Sequence, residues 1–291
     1  MNYKPSELII NEDGSIFHLK LLPEDISENI LLVGDPGRVD LISSYFDTIE
    51  VEKHNREFKT ITGNYNNQRI TVISSGIGTD NIDIVVNELD ALANIDLKKR
   101  ENKTKFKQLN IIRLGTSGAI QNDLPVGSFI ASKKSVGFDN LLFFYDIKLK
   151  NKKMTQALKK HLKWPKKQAF PYIVDASEQL LNLFGNNVIQ GINISAPGFY
   201  GPQGRQLRVP LAYPKTNNKI EQFKFNQHRI TNYEMESSAI YGLSQYLGHN
   251  ALTICVIIAN RIRKEYAGDY KPMMKELIKL VLDTLTKKQS E

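Results

Sequence analysis

Ile30-Leu31-Leu32-Val33-Gly34-Asp35-Pro36-Gly37-Arg38 is the stretch that decides the fold. Its four apolar residues form a run of the length expected for a buried strand. Gly34 and Gly37 then let the backbone turn and approach a ligand with no Cβ in the way. Pro36 fixes one φ angle. Arg38 places a permanently charged fork of donors at the strand end, which suits an oxyanion such as phosphate.

Outward from this point, strand-like and helix-like segments alternate. Arg69–Ser75, Asn110–Leu114, Ser128–Ser132, Gly191–Ser195 and Ala251–Ala259 are short, apolar or β-branched, and bounded by Gly, Asn or polar residues. Ile82, Val85, Val86, Leu89 and Leu92 recur at helical spacing. Glu236–Leu247 reads as another helix. Met274, Leu277, Ile278, Val281, Leu282 and Leu285 mark an amphipathic helix near the C-terminus. Such alternation predicts an α/β sandwich around a parallel or mixed sheet. Leu97–Lys107 reads as a polar insertion between a helix and a strand.

Composition narrows the function classes. The chain has 291 residues and a net charge of +8. Much of the charge lies in two lysine-rich stretches, Lys98–Lys107 and Lys148–Lys167. Few aromatics are interleaved, so these read as solvated faces rather than a nucleic-acid surface. The single cysteine, Cys255, sits in an apolar run and has no internal disulfide partner. It reads as a buried thiol in a reducing, cytoplasmic compartment. No signal-peptide core and no membrane-length apolar run are seen. The five histidines lack metal-ligand spacing, and no GxxxxGK[ST] loop occurs.

Two further strands carry glycines at their predicted ends. Ile111-Ile112-Arg113-Leu114 leads into Gly115-Thr116-Ser117-Gly118, whose hydroxyls and N–H groups suit an anion. Arg69–Ser75 leads into Gly76-Ile77-Gly78, an incomplete dinucleotide fingerprint because Asn81 replaces its last glycine. Together the three strand ends predict one anion site at the carboxyl edge of a sheet. Asn232-Tyr233-Glu234-Met235-Glu236-Ser237 reads as a helix start. Its carboxylates could complement the helix dipole or accept from a sugar's vicinal hydroxyls. In Phe199-Tyr200-Gly201-Pro202-Gln203-Gly204-Arg205, aromatics could stack on a base while Gln203 and Arg205 read its edge; a plain Gly/Pro loop is the other reading.

At this point the chain resembles the nucleoside phosphorylase family, most of all its uridine-cleaving branch. The resemblance rests on motifs in one order: Phe17-His18-Leu19, Gly34–Arg38, His54-Asn55-Arg56-Glu57-Phe58, Ser75–Gly78, Arg113–Ile120, Phe199–Arg205, Asn232–Ser237 and Asn260-Arg261. It implies one domain over residues 1–291, a three-layer α/β/α sandwich with a central mixed sheet. It also implies a homodimer unit that builds a homohexamer.

The resemblance assigns Gly34, Arg38, Arg113 and Thr116 to inorganic phosphate. Arg56 would reach that phosphate, and His18 the ribose 5′-hydroxyl, from a neighbouring subunit. Met235 and Glu236 would hold the ribose. Gln203 and Arg205 would read uracil, with Phe199 lining the base pocket. Glu57 corresponds to a residue that holds a monovalent cation such as potassium between subunits in some relatives. No other cofactor is implied; phosphate is a co-substrate, and neither nucleic acid nor membrane is a partner.

The residue types suit the chemistry. Breaking an N-glycosidic bond builds positive charge on ribose and negative charge on the departing base. A phosphate dianion below the sugar stabilises the first and attacks. Donors at the base edge stabilise the second, so Arg113, Arg205 and Glu236 can carry catalysis without a side-chain nucleophile. Arg205 can only donate, which suits uracil O4 and mismatches the cytosine amino group; Gln203 can donate and accept, matching O2 and N3–H. Purine-cleaving relatives place a Ser-Asp pair after the last strand, whereas Ile258-Ala259-Asn260-Arg261 has no acid. Departures lie at Ser195–Gly198, at the Gly201-Pro202 order, in the 97–107 insertion and across 137–170. A purine phosphorylase or nucleosidase with a rearranged pocket, and a non-catalytic nucleoside binder, are the remaining readings.

Overall fold

The computed structural model describes residues 2–287. The quoted apolar run forms β1 (Asn29–Val33), and Pro36 opens α1 (Pro36–Ser43). Asp35 caps that helix by accepting from the Gly37 N–H at 2.9 Å. The antiparallel strands β2 (Thr48–Asn55), β3 (Phe58–Tyr65) and β4 (Gln68–Ser74) follow, then α2 (Thr79–Asn94). The 97–107 segment is more ordered than a polar insertion. Its β6 (Glu101–Asn102) pairs with β5 (Ile95–Asp96), which lies just before the segment, and Leu97 is buried.

The second half holds β7 (Asn110–Ala119), β8 (Phe129–Gly137), α3 (Lys152–Leu162), β9 (Tyr172–Asp175), α4 (Glu178–Phe184), β10 (Ile189–Ser195), α5 (Thr216–Gln222) and β11 (Lys224–Phe225). It continues with β12 (His228–Glu234), α6 (Ser237–Leu247), β13 (Asn250–Asn260), β14 (Glu265–Tyr266) and α7 (Lys271–Thr286).

One mixed sheet of twelve strands runs β11-β12-β10-β8-β13-β7-β1-β4-β3-β2, with β9 beside β8 and β14 beside β13. β12 also pairs with β7, so β7, β12, β10, β8 and β13 close a ring. Alternation along β1 explains the layering. Ile30 and Leu32 pack with α2 and α6 in one core, while Leu31 and Val33 pack with α1, α4 and α7 in another. Both clusters are fully buried at their centres, and each such side chain contributes about 1.5–3 kcal/mol. A third core lies between β8, β10 and β12 and the helices α3 and α5. Among the described residues, no helix is long and apolar enough to cross a membrane.

Two local expectations are corrected. Gly115–Gly118 is not a turn after a strand. It lies inside β7, paired throughout with β13. Asn232–Glu234 is strand rather than helix start; Glu236 occupies the cap position of α6, and no acidic residue lies in that helix's first turn. The helix-dipole reading holds in a changed form: Glu234, from the strand, accepts from the Ser237 N–H at the start of α6 at 3.0 Å, while Glu236 turns to Arg113.

Candidate active site

The strand ends enclose a cavity of about 860 Å³. It is lined by Gly34, Arg38, Glu57, Arg113, Thr116, Phe199, Gln203, Arg205, Met235 and Glu236, all singled out from the sequence. Its existence follows from unequal strand lengths. β1 pairs with β7 only as far as Arg113, and β12 rejoins β7 at Gly118. Between those points one edge of β7 borders the cavity. The Ser75 N–H donates to the Val33 carbonyl at 2.8 Å, which ties the ends of β1 and β4 together.

At one end stand Arg38 and Arg113. Arg38 projects from the first turn of α1 and donates to the Leu114 carbonyl at 3.2 Å. Among the described residues it has no ion-pair partner. Burial, and then the like charge of Arg113, lower its pKa, so an anion placed between the two arginines would relieve both.

Arg113 is buried and faces two carboxylates. It pairs closely with Glu236 and lies 3.4 Å from Glu234. Its Nε has no partner among the described residues. Gly115 is required by this geometry, because a Cβ there would strike the Arg113 guanidinium and the Cys255 sulfur. Burial opposes the charge on Arg113, but Glu236 and Glu234 outweigh it and raise its pKa. For Glu236, burial raises the pKa, Arg113 opposes, and Glu234 adds to the rise.

The Glu236 carboxylate also accepts from the Gly78 N–H at 2.8 Å. Gly78 holds φ at +102° at the cap of α2, a conformation that excludes other residues. Glu234, beside it, accepts from Asn193 Nδ2 at 2.7 Å and from the Glu236 N–H at 2.9 Å. Of the two carboxylates that the sequence offers to a sugar, Glu234 is spent on protein groups: it fixes Arg113 and the backbone that presents Glu236.

At the other end the Phe199–Arg205 loop turns over the cavity. Arg205 lies 3.7 Å above the Phe199 ring and donates to the Phe199 carbonyl and to Gln203 Oε1, both at 2.7 Å. Arg261, matched in the sequence without a role, also donates to Gln203 Oε1, at 2.7 Å. Gln203 therefore differs from the expectation that its amide both donates and accepts toward a base. Asn260 is buried and spends its Nδ2 on the Gln121 and Leu124 carbonyls. Ile258 and Ala259 line this cavity with apolar side chains, and no acid lies in Ile258–Arg261.

His18 and Arg56 do not line the cavity of their own chain. They lie together elsewhere: Asn55 Nδ2 donates to the His18 carbonyl at 2.7 Å, and Arg56 is exposed at the β2–β3 turn with φ at +55°. His18 Nδ1 is 2.6 Å from Glu88, which also accepts the His18 and Leu19 N–H groups. Glu57 supplies one carboxylate, and among the described residues no cluster of three or more His, Cys, Asp or Glu could hold a metal ion.

A cavity with two arginines at one end, a buried glutamate in the middle and a donor-rich loop at the other suits a nucleoside beside an oxyanion. The sequence profile of the phosphorylase superfamily matches residues 29–285. The chain belongs to that superfamily. The uridine phosphorylase of Thermococcus kodakarensis is 29% identical over 255 residues, covering 88% of this chain and 81% of the relative. A DeoD-type purine nucleoside phosphorylase of Oceanobacillus iheyensis is 26% identical over 283 residues, covering 93% and 99%. Among solved structures, a Trypanosoma brucei nucleoside phosphorylase described as showing uridine phosphorylase activity superposes with a TM-score of 0.87. It is 31% identical and covers 96% of this chain and 99% of its own. The chain is thus a nucleoside phosphorylase, a pentosyltransferase with a central mixed sheet.

Proposed function

We propose that this phosphorylase cleaves uridine with inorganic phosphate to give uracil and ribose 1-phosphate. The observation that carries the reading is the composition of one cavity. Arg38 and Arg113 lie at one end, Arg205 and Gln203 at the other, and no acid occupies the Ile258–Arg261 segment. A purine leaving group would be helped by a carboxylic acid there; a uracil leaving group needs donors to its oxygens.

Phosphate sits between Arg38 and Arg113, with Thr116 and the Gly34 backbone beside it. Its arrival competes with Glu236 for Arg113. Glu236 then has an oxygen to offer the ribose hydroxyls, and Met235 packs against the sugar. The phosphate oxygen attacks C1′ as the bond to the base nitrogen breaks, and the electron pair moves into the pyrimidine ring toward O4. Arg205 stabilises that oxygen, a role that strengthens only in the transition state.

His18 and Arg56 complete a neighbouring subunit's site in this reading, which makes a dimer the smallest active unit and a hexamer its assembly. Their adjacency within one chain supports joint delivery across a two-fold contact. Glu57 offers a monovalent cation only one carboxylate from this chain, and no step is routed through it. The enzyme works in the cytoplasm. A nucleoside panel tests the proposal: uridine should be the preferred substrate, with cytidine, inosine and adenosine poorer. Preference for inosine or adenosine would replace it with a purine phosphorylase, and binding without turnover would leave a nucleoside-binding protein.

A further inference from the structure

The His18 imidazole is held through one of its two nitrogens. Nδ1 lies 2.6 Å from Glu88 Oε1. The same carboxylate accepts the His18 N–H at 3.0 Å and, through Oε2, the Leu19 N–H at 2.9 Å. Leu19 is buried in the core and anchors the segment. The Phe17 ring stands edge-on to the imidazole, with ring centres 4.7 Å apart. Among the described residues, His18 Nε2 has no hydrogen-bond partner.

Glu88 decides which ring nitrogen carries the proton. A carboxylate that faces two backbone N–H groups is an acceptor, so its contact with Nδ1 needs Nδ1 to donate. The neutral ring then presents Nε2 as a lone pair. Glu88 stands on α2, about three turns beyond Gly78, whose N–H holds Glu236. One helix thus fixes the glutamate of its own cavity and the histidine offered to a neighbouring subunit.

We propose that Glu88 is a positioning residue that sets the His18 tautomer, so that Nε2 recognises the nucleoside 5′-hydroxyl as a hydrogen-bond donor. This deepens, and rests on, the reading in which His18 reaches a neighbouring subunit's ribose. A 5′-hydroxyl donates to Nε2. A 5′-ether or a 5′-phosphate ester turns oxygen lone pairs toward a nitrogen lone pair and is refused. Glu88→Gln inverts the choice. The Leu19 N–H demands the glutamine oxygen, which leaves the NH2 group opposite Nδ1. Nδ1 must then accept, and the ring proton moves to Nε2, which becomes a donor.

The test compares kcat/KM for uridine, 5′-deoxyuridine and 5′-O-methyluridine at about pH 8.5, above the ordinary histidine range. The wild type should favour uridine over 5′-deoxyuridine by about tenfold and use the methyl ether no better than the deoxy compound. In Glu88→Gln the ratio of methyl ether to deoxy compound should rise by about three- to tenfold. The bulk of the methyl group is the same for both proteins and cancels. An unchanged ratio in folded Glu88→Gln, with all three substrates losing alike, would reduce Glu88 to a structural role and overturn the proposal. A wild type indifferent to the 5′-hydroxyl would overturn it too. Nitrogen NMR of histidine-labelled protein reads the tautomer without turnover, with His18→Gln supplying the assignment. Nδ1 should carry the proton and Nε2 should be bare; a protonated Nε2 in the wild type would overturn the proposal whether or not Glu88→Gln folds. If another nucleoside is preferred to uridine, the uridine reading alone fails, and the same 5′ series built on that nucleoside carries the test.

Discussion

Arg38→Ala separates phosphate binding from protein stability more cleanly than any other change in the cavity. Among the described residues the Arg38 side chain makes one protein hydrogen bond, to the Leu114 carbonyl at 3.2 Å, and has no ion-pair partner. Its loss from the free protein should cost about 1 kcal/mol, and removal of a partly buried cation beside Arg113 returns some of that. Toward a phosphate dianion the same side chain offers charge-assisted hydrogen bonds. Truncating one partner of such a contact costs about 2–4 kcal/mol, or about 30- to 10³-fold in affinity. The phosphate KM should therefore rise by that factor while the uridine KM moves by less than about threefold, because Arg38 is remote from the base loop. Steady-state kinetics with each substrate varied at saturation of the other measures both, and thermal melting checks the fold. A phosphate KM within about threefold of wild type in a folded Arg38→Ala protein would refute the phosphate subsite.

Arg205→Ala should lower kcat/KM for uridine by about 10²–10³, as loss of a transition-state donor does, with phosphate affinity nearly unchanged; near-wild-type turnover would remove Arg205 from base recognition. The pH profile should show an acid limb above the ordinary glutamate value of 4.5, because burial raises the Glu236 pKa against the opposing pull of Arg113. As pH falls through that raised pKa, Glu236 takes up a proton and loses its capacity to accept from ribose, so kcat/KM for uridine falls; a limb at or below the ordinary value would contradict the burial argument. Mixing Arg56→Ala with Arg113→Ala subunits should restore activity through one intact site per mixed dimer. No recovery, with mixed dimers shown by native mass spectrometry, would count against a shared site.

The strand-to-turn logic of Ile30–Arg38 was legible because local propensity and tertiary role agree there. Helices α2 and α7 were legible for the same reason, through apolar residues at helical spacing. β2 was not: Thr48–Asn55 is an edge strand whose charged side chains face outward, so no apolar pattern marks it. Gly115–Gly118 reads locally as a turn, yet pairing with β13 carries the strand through, and its glycines make room for Arg113. Asn232 and Glu234 look unsuited to a buried strand. Glu234 is tolerated because Asn193, Ser195 and two backbone N–H groups satisfy it. Most side chains of the candidate site were visible as motif residues. What sequence could not supply was their pairing: Arg113 with Glu236, and Gln203 between Arg205 and Arg261. Those contacts join residues from distant segments, and no spacing rule encodes them.

The central claim is that phosphate, held by Arg38 and Arg113, is the nucleophile that releases the base. The most direct measurement is product identification by phosphorus NMR and chromatography after incubating uridine with the enzyme, with and without inorganic phosphate. Uracil and ribose 1-phosphate should form in equal amounts, and neither should form when phosphate is omitted. Uracil accompanied by free ribose, released at the same rate without phosphate, would show that water is the nucleophile and would contradict the account.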